Sequence, residues 1–534
     1  MDQSGCGAPQ STARNTSREP RRGTARRRAH VEKPHIDAVH PGFEGGQYRA
    51  LSERDIERIY DTALKLLEEV GIGEPIPEIL KYAIPGGCIL GDDGRLRFPR
   101  ALVEDLIAAS ARRYTLYAPD PALDLEVHDR SVLFTTSGET VNILEYETQT
   151  YRPTKLVDLY DAARLADHCQ HIHVFGQPFI ASEYSTDVYV HDMNIAYAEL
   201  AGTCKPFALG IAVVDHIEPI ISLFDTYLGR EGAFLERPFC TFGGCPIVSP
   251  LRFGKDNAEV LVKLAELGLP GDVAIAPQAG ATSPAALAGT LVQSFAETLS
   301  CLCVMNLVRR GSRINFGMWP FISDLRTGAF SGGSGEEALV TAATIQLASH
   351  FGFMTSIGAG MTDSKTMDAQ AGYEKALTVA AAALSGCNQV SSYPGIVGSL
   401  MGQSFEGMLI DNDMIGNVQR MLRGIEVNEE TLSFDVIKET VTGPGHYLGH
   451  AQTLALMKSE FLYPDLADRS TPGAWAEAGH KTIYERAHEK VHEILSTYYP
   501  TYIPPDADAR IRERFPIKLA PADMRPGNGR WGKQ

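Results

Sequence analysis

Between residues 131 and 424, the chain alternates eight times between a short apolar run and a longer segment with helical spacing. The short runs are apolar at successive positions rather than at every second one, which is typical of strands buried on both faces of a parallel sheet. Parallel strands need a crossover between them, and the intervening segments have the length and period of helices. This repeated alternation constrains the fold more than any other feature of the sequence.

The alternation predicts an α/β fold, a (β/α)₈ TIM barrel with helical additions at both ends. The predicted strands are Val132–Thr136, His173–Phe179, Phe207–Val213, Phe239–Gly243, Val273–Gln278, Arg313–Trp319, Phe353–Ile357 and Gln389–Tyr393. The predicted helices are Lys155–His168, Val188–Ala201, His216–Leu228, Asn257–Leu267, Pro284–Val308, Glu336–Phe351, Gln370–Leu384 and Phe405–Arg423. An open doubly wound sheet is the alternative, which the lack of a GxGxxG turn after a first strand disfavours.

Composition divides the rest of the chain. We predict a disordered basic tail over 1–45, a helical N-terminal subdomain over 46–130, the barrel over 131–425, and a helical segment with a tail over 426–534.

The formal net charge of −17 argues against nucleic acid as a partner. The nine cysteines have no paired spacing, which predicts reduced thiols in a cytoplasmic protein. We expect no membrane span, since no apolar run approaches the ~20 residues that one needs.

The functional residues of a barrel lie in the loops that follow its strands. Aromatic residues gather there, and several around one mouth could form a cage for a quaternary ammonium ion, because ring faces attract cations. Each of them could instead pack in the core. These aromatic residues are Phe179, Phe242, Trp319, Phe321 and Tyr393. Glu139, Asp324 and Asp363 could add negative charge, or could be ordinary caps and loop carboxylates.

Two further patterns have competing interpretations. The run Ser331–Gly335 precedes Glu336 and opens a helix, so it is either an N-cap or an anion site at the helix N-terminus. His446 and His450 are four residues apart and would share a helix face. No third ligand accompanies them, so we expect packing or capping and no metal site.

Several longer segments resemble the trimethylamine methyltransferase superfamily. They are Gly358–Glu374, which contains Thr362-Asp363-Ser364-Lys365, then Gly243–Pro250, His446–His450 and Tyr463–Arg469. The resemblance implies a (β/α)₈ fold and transfer of a methyl group from a methylated amine to a corrinoid-binding protein. It also implies that the partner carries the cobalamin and that this chain binds no cofactor directly.

The chain departs from the archaeal trimethylamine enzymes, which carry pyrrolysine in the loop that corresponds to about Ser364–Met367. Only standard residues stand there in this chain. Members without pyrrolysine are similar to glycine betaine methyltransferases, which demethylate a quaternary amine. The resemblance therefore implies a quaternary amine such as glycine betaine as the substrate.

We predict Asp363 and Lys365 as catalytic residues. The predicted substrate-binding residues are Phe179, Glu139, Trp319, Phe321, Arg326, Tyr393 and Gln403, with Arg326 or the start of the helix at Gly332–Gly335 holding a substrate carboxylate. The alternatives are another methylamine such as trimethylamine, a non-catalytic amine-binding protein, and a phosphate-sugar barrel enzyme. The sequence leaves a homo-oligomer open.

Overall fold

The computed structural model describes residues 39–531, and its centre is a closed ring of eight parallel strands. Each strand pairs with the next along the chain, and the last pairs with the first, so the strand order follows the sequence. The strands are β1 Leu133–Thr135, β2 Phe175–Gly176, β3 Phe207–Gly210, β4 Cys240–Gly244, β5 Gly271–Val273, β6 Ile314–Gly317, β7 Thr355–Gly358 and β8 Gln389–Ser391. The predicted TIM barrel is therefore confirmed.

A helix follows every barrel strand and covers the outside of the ring. The helices are α1 Leu156–His168, α2 Val188–Gly202, α3 Ile217–Leu228, α4 Lys255–Leu267, α5 Leu287–Val308, α6 Gly335–His350, α7 Ala369–Ser385 and α8 Phe405–Arg423. Their bounds agree with the prediction to within a few residues. The strand predicted at Val273–Gln278 begins earlier than expected, because β5 spans Gly271–Val273 and only an isolated bridge between Ile275 and Met318 continues it.

Side chains along a barrel strand alternate between the outside of the barrel and its interior. On β6, Phe316 points outward, where its ring lies 5.7 Å from Phe295 on α5 and 4.4 Å from Phe353. The alternate residues, Asn315 and Gly317, point into the barrel, since successive side chains of a strand lie on opposite faces. The outer face therefore carries the apolar contacts with the helices.

Two small sheets extend the C-terminal rim of the barrel. One joins the loops after β1 and β8, with strands Asn142–Leu144, Tyr151–Pro153, Ile396–Val397 and Gly402–Gln403. The other joins the loops after β5 and β6, with strands Gln278–Ala279, Phe321–Asp324 and Ala329–Ser331. These sheets tie the rim loops to one another above the ring.

The N-terminal region contains strands as well as the predicted helices. Its helices are Glu53–Glu69, Pro77–Ala83 and Arg100–Ala109, and its strands are Ile89–Leu90, Leu96–Arg97, Tyr114–Leu116 and Leu125–Val127. Ser52 caps the first helix, and a capping box with Asp55 completes that end. At the floor of the barrel, Gln389 Nε2 donates a hydrogen bond to the hydroxyl of Tyr114.

The C-terminal region holds several further helices. They are Pro472–Glu477, Ile483–Thr497 and Pro505–Arg514. The buried guanidinium of Arg164 on α1 contacts the carboxylate of Asp161 and the backbone oxygens of Leu495 and Tyr498. Trp531 Nε1 also donates to Asp161, at 2.8 Å. Residues 425–463 belong to a separate compact unit, which contains the helices Phe434–Thr442 and Ala451–Leu456.

Helix α5 is long and apolar enough to cross a membrane by length and composition, which the sequence prediction did not anticipate. It has 22 residues, and 83% of its most apolar stretch is buried inside the protein. It packs against the N-terminal helices and α4. This burial is typical of a core helix.

Candidate active site at the barrel mouth

Glycines at the ends of the strands make room for larger side chains at the mouth of the barrel. A Cβ at Gly358, the last residue of β7, would lie 2.9 Å from Tyr393 Oη and 3.1 Å from Phe321 Cζ. A Cβ at Gly210, the last residue of β3, would collide with the carboxylate of Glu139. The missing side chains therefore allow these three residues to approach the mouth from different loops.

Three aromatic residues converge there. The rings of Trp319 and Tyr393 meet edge to face, with centroids 6.1 Å apart and an interplanar angle of 86°. Trp319 Nε1 donates to Ser356 Oγ at 3.3 Å, which fixes the indole above β7. Phe321 packs edge to face on Phe330 at 5.0 Å. These rings come from the β6 and β8 loops, and their faces are the surfaces that attract cations.

Glu139 brings a carboxylate to the same mouth. Part of the residue is exposed to solvent. Protein atoms nevertheless lie around its carboxylate, and the resulting desolvation raises the pKa of Glu139. His191 opposes this shift and Asp192 adds to it. Burial also raises the pKa of the Tyr393 hydroxyl, and the nearby groups Cys245, Glu337 and Glu139 raise it further. The Tyr393 hydroxyl therefore keeps its proton at neutral pH and can donate a hydrogen bond.

Asp363 is a tightly held carboxylate at the edge of the site. It accepts hydrogen bonds from Ser331 Oγ at 2.8 Å, Ser399 Oγ at 2.6 Å and the Gly332 N–H at 3.0 Å. It thereby joins the loops after β6, β7 and β8. The predicted anion site at Gly332 is filled by this internal carboxylate, and Ser334 caps α6 in the ordinary way by accepting from the Glu337 N–H at 3.1 Å.

Two other predicted residues lie on the surface. The side chain of Arg326 is 88% exposed at the turn of a rim hairpin, where it pairs with Asp324 at 2.6 Å. Lys365 is also exposed, and its backbone oxygen accepts a hydrogen bond from Tyr151 Oη at 2.7 Å. The structure does not bring either side chain to the aromatic residues of the mouth.

Phe179 and Gln403 are completely buried. Phe179 belongs to the main apolar core. Gln403 Nε2 donates to the Pro394 oxygen at 2.8 Å, which supports the backbone of the β8 loop. Trp319, Phe321 and Tyr393 belong to the same core. The structure brings these three residues and Glu139 together at the mouth.

The sequence did not reveal a histidine pair beside Glu139. Asp192 on α2 lies 2.9 Å from His191 Nδ1 and 2.7 Å from His216 Nδ1. His191 Nε2 is buried and has no hydrogen-bond partner among the described residues. A carboxylate on Nδ1 fixes the orientation of an imidazole and leaves Nε2 for another group. Only the adjacency of His191 and Asp192 on a helix hints at this pair in the sequence.

A buried ion pair supports the mouth from below. Lys375 Nζ lies 3.0 Å from Asp411 Oδ2 and donates to the Gly360 oxygen at 2.7 Å and the Tyr393 oxygen at 3.1 Å. Burial lowers the pKa of Lys375 and raises that of Asp411, while each partner opposes the shift of the other. The pair fixes the backbone that carries Tyr393.

The other reactive side chains that the sequence offers are cysteines and histidines. Among residues 39–531, no group of three His, Cys, Asp or Glu side chains could hold a metal ion. The eight cysteines in that range are free thiols, and desolvation raises the pKa of Cys245 at the mouth to about 12. His450 in the separate unit caps a helix by accepting from the Gln452 N–H, in line with the capping interpretation.

Comparison with known proteins finds a family model and several similar proteins. Residues 20–518 match the family model described as "Trimethylamine methyltransferase (MTTB)". The chain is 30% identical to a glycine betaine methyltransferase of Desulfitobacterium hafniense strain Y51, over 87% of this chain and 96% of that protein. It is 29% identical to the trimethylamine methyltransferase MttB of Methanosarcina barkeri, over 87% and 94% of the two chains. The crystal structure of the Methanosarcina barkeri monomethylamine methyltransferase MtmB covers 85% of this chain and 95% of its own, with a TM-score of 0.43 and 13% identity.

Proposed function

The chain belongs to the trimethylamine methyltransferase family, and we propose that it moves a methyl group from a quaternary amine to the Co(I) of a corrinoid protein. Membership of this family makes the chain a methyltransferase. Glycine betaine is the substrate that we favour, because the glycine betaine methyltransferase is a relative at 30% identity. The observation that carries the proposal is the convergence of Trp319, Phe321 and Tyr393 with Glu139 at one barrel mouth.

The chemistry needs little from the protein beyond placement. A nucleophilic attack on the methyl carbon breaks the C–N bond, and the bonding pair remains on nitrogen as a neutral tertiary amine. The acceptor supplies the electron pair of the new bond, so no proton has to move. Holding the methyl carbon in line with the acceptor therefore accounts for most of the expected rate enhancement.

An aromatic pocket fits this charge change. The positive charge of the substrate fades as the C–N bond breaks, so a site that binds the cation too tightly would stabilise the ground state more than the transition state. Each ring face contributes only ~0.5–2 kcal/mol of attraction to a cation.

The corrinoid would arrive on a partner protein, so the acceptor is a second substrate that must reach the open end of the barrel. Glu139 and Cys245 are exposed at this end, which leaves a face through which an acceptor could approach. The residues of this chain would bind the amine, orient one methyl group outward and hold the amine while the bond breaks.

The proposal is tested by mixing the purified protein with a Co(I) corrinoid protein and a series of amines, and by following the cobalt absorbance. We expect methyl transfer from glycine betaine and not from an equal concentration of dimethylglycine. Replacing Trp319 with Ala should lower kcat/KM about tenfold, or about 1.4 kcal/mol. The control is Leu325→Ala, because Leu325 is 67% exposed on the rim hairpin and should not affect transfer.

The same assay separates the alternatives. Transfer from trimethylamine alone would favour the activity named for the MttB relatives. Betaine binding by calorimetry without transfer to any corrinoid would point to a non-catalytic binding protein, and the absence of transfer from every quaternary amine would refute our proposal.

A further inference from the structure

Water reaches the inner face of the barrel along three neighbouring strands, β3, β4 and β5. The inward-facing residues of these strands are partly exposed, whereas the outward-facing residues between them are buried. The partly exposed residues are Ala208, Gly210, Thr241, Gly243 and Asp272. Residues inside a closed ring are exposed only where the ring leaves space beside them. The interior on this side therefore has room for water or for part of a small ligand.

The strand register places Asp272 in one row with two glycines. Gly210 on β3 pairs with Gly243 on β4, and Gly243 pairs with Asp272 on β5. The carboxylate of Glu139 lies over Gly210, where a Cβ would collide with it. Neighbouring strands are ~4.8 Å apart, so the row from Gly210 to Asp272 is ~10 Å wide. The two glycines leave the space between the two carboxylates free of their own side chains.

Asp272 and its neighbour Asn315 present hydrogen-bond acceptors to this interior. The register pairs the two residues, and Asn315 Nδ2 donates to Asp272 Oδ1 at 2.9 Å. Among residues 39–531, no other side chain donates a hydrogen bond to the Asp272 carboxylate. Asn315 is 4% exposed, and its Oδ1 has no hydrogen-bond partner in the described part of the chain. Buried polar atoms are normally paired, so these oxygens point to a ligand that brings donors.

The charge of Asp272 decides which ligand group fits. Desolvation raises the pKa of Asp272 to about 6, and the hydrogen bond from Asn315 opposes this shift. The carboxylate is therefore mostly ionised at neutral pH and accepts hydrogen bonds. It would repel the carboxylate of a substrate and would bind a hydroxyl group.

We propose that Asp272 and Asn315 bind the hydroxyl group of a quaternary amine of the choline type. This inference rests on the proposed function and adds hydroxyl-bearing amines to its substrate class. Trp319 Nε1 lies 3.2 Å from the position that a Cβ of Gly317 would take, and Gly317 is two residues beyond Asn315 on β6. Two residues of a strand span ~7 Å. A short hydroxyalkyl chain can cover that distance from the aromatic rings to the acceptors below them.

The test compares choline with propyltrimethylammonium, which has a similar size and no hydroxyl group. We expect the wild type to prefer choline at least tenfold in kcat/KM in the cobalt assay, because a hydrogen bond to a charged group is being compared with none. Asp272→Ala should lower this preference about tenfold, and Asp272→Asn, which keeps an acceptor oxygen, should lower it less. The control is Asp256→Ala, which removes the same charge from the exposed start of α4 and should keep the preference.

Calorimetry with the same two amines separates this inference from the proposed function. Binding needs no corrinoid, so choline should bind about tenfold more tightly than propyltrimethylammonium even if no methyl group is transferred. The comparison in the wild type needs no variant, so it does not depend on whether Asp272→Ala folds. Normal transfer from glycine betaine without a preference for choline would leave the proposed function intact and refute the hydroxyl site.

Two other results would also overturn the inference. The first is a wild type that binds neither amine. The second is an Asp272→Ala protein in which both amines lose affinity to the same extent, since that would give Asp272 a purely structural role in the barrel.

Discussion

Two residues of the mouth have strained backbones. Glu139 and Tyr393 have φ angles of +46° and +41°, in the left-handed region that residues with side chains rarely adopt. Such a conformation costs on the order of 1–3 kcal/mol and persists where the surrounding structure fixes it, often at functional sites. Both residues are in loops that follow neighbouring strands, β1 and β8. The strain therefore supports a role for this pair of loops in binding.

The raised pKa of Glu139 predicts a pH dependence of substrate binding. The ionised carboxylate attracts a quaternary ammonium ion and the protonated form does not, so the KM should rise as pH falls through the pKa of Glu139. Because desolvation raises that pKa, the change should begin at a higher pH than for an ordinary glutamate. Glu139→Gln should raise the KM about tenfold at neutral pH and remove the pH dependence. A variant that keeps the wild-type pH profile would contradict this role.

His191 is a candidate ligand for the carboxylate of glycine betaine. Its Nε2 has no partner among the described residues and Asp192 holds its Nδ1. When both ring nitrogens carry a proton, the Nε2–H can donate a hydrogen bond to a carboxylate. We expect His191→Gln to raise the KM for glycine betaine about tenfold and to leave the KM for choline, which has no carboxylate, unchanged. Steady-state assays with both amines measure the difference.

The same pair of amines tests the earlier prediction for Arg326. Its guanidinium is 88% exposed and bound to Asp324, so we expect Arg326→Ala to change neither KM. A selective effect of Arg326→Ala, with none from His191→Gln, would place the carboxylate at the rim hairpin. Equal effects on both amines would remove His191 from carboxylate recognition.

At the scale of elements, the Lys375–Asp411 pair joins α7 to α8 beneath the mouth. Removing one partner of a buried pair leaves an uncompensated charge, which costs about 3–5 kcal/mol. We expect Lys375→Met to lower the free energy of unfolding by that amount. Asp411→Asn in the same chain should restore part of it, since the amide can still accept the Gly395 N–H that Asp411 binds at 2.7 Å.

Denaturant unfolding of the single and double variants measures this coupling. The control is Lys490→Met, because the Lys490–Glu493 pair is largely exposed and such pairs contribute about 1 kcal/mol or less. Losses that are equal for Lys375→Met and Lys490→Met would contradict the structural role of the buried pair. Additive losses in the double variant would do the same.

Some of these elements could be predicted from the sequence and others could not. The apolar runs at Phe353–Ile357 and Gln389–Tyr393 predicted two neighbouring strands, because burial on both faces leaves a local composition that can be recognised. The rim strands are only two to four residues long and have no period to detect. Their pairing depends on loops far apart in the chain, such as Ile143 with Gln403. The sequence therefore predicts the ring better than the rim.

The residues of the site could likewise be predicted from the sequence only in part. The aromatic residues Trp319, Phe321 and Tyr393 could be predicted because they follow strands that must end on one rim. The partners of Asp363 could not, since Ser331 and Ser399 come from other loops and each is an ordinary serine in the sequence. Local sequence also does not show that Arg326 pairs with Asp324 two residues away and turns outward.

At the scale of the whole molecule, glycines occupy inward positions at the ends of several barrel strands. The interior of most barrels of this type is filled by layers of branched apolar side chains. Here the inward positions at the ends of β3, β6 and β7 are Gly210, Gly317 and Gly358. The apolar residues lie on the outer face, where they pack on the helices. The outer layer therefore supplies much of the apolar packing, and the glycines of the inner layer leave room for the side chains of the mouth.

This separation predicts a variant that folds but does not function. A side chain at Gly358 would meet Tyr393 and Phe321 at about 3 Å, so Gly358→Val should displace both rings and lower kcat/KM by at least tenfold, or about 1.4 kcal/mol. The protein should still fold, because overpacking of this kind usually costs about 1–3 kcal/mol of unfolding free energy. The control is Gly372→Ala on α7, where nothing lies within 4 Å of the added carbon. That substitution should keep full activity and add about 0.5–1 kcal/mol of stability, since glycine is unfavourable within a helix. A Gly358→Val protein with normal transfer, measured by cobalt absorbance beside its thermal unfolding, would show that the amine does not bind between these rings.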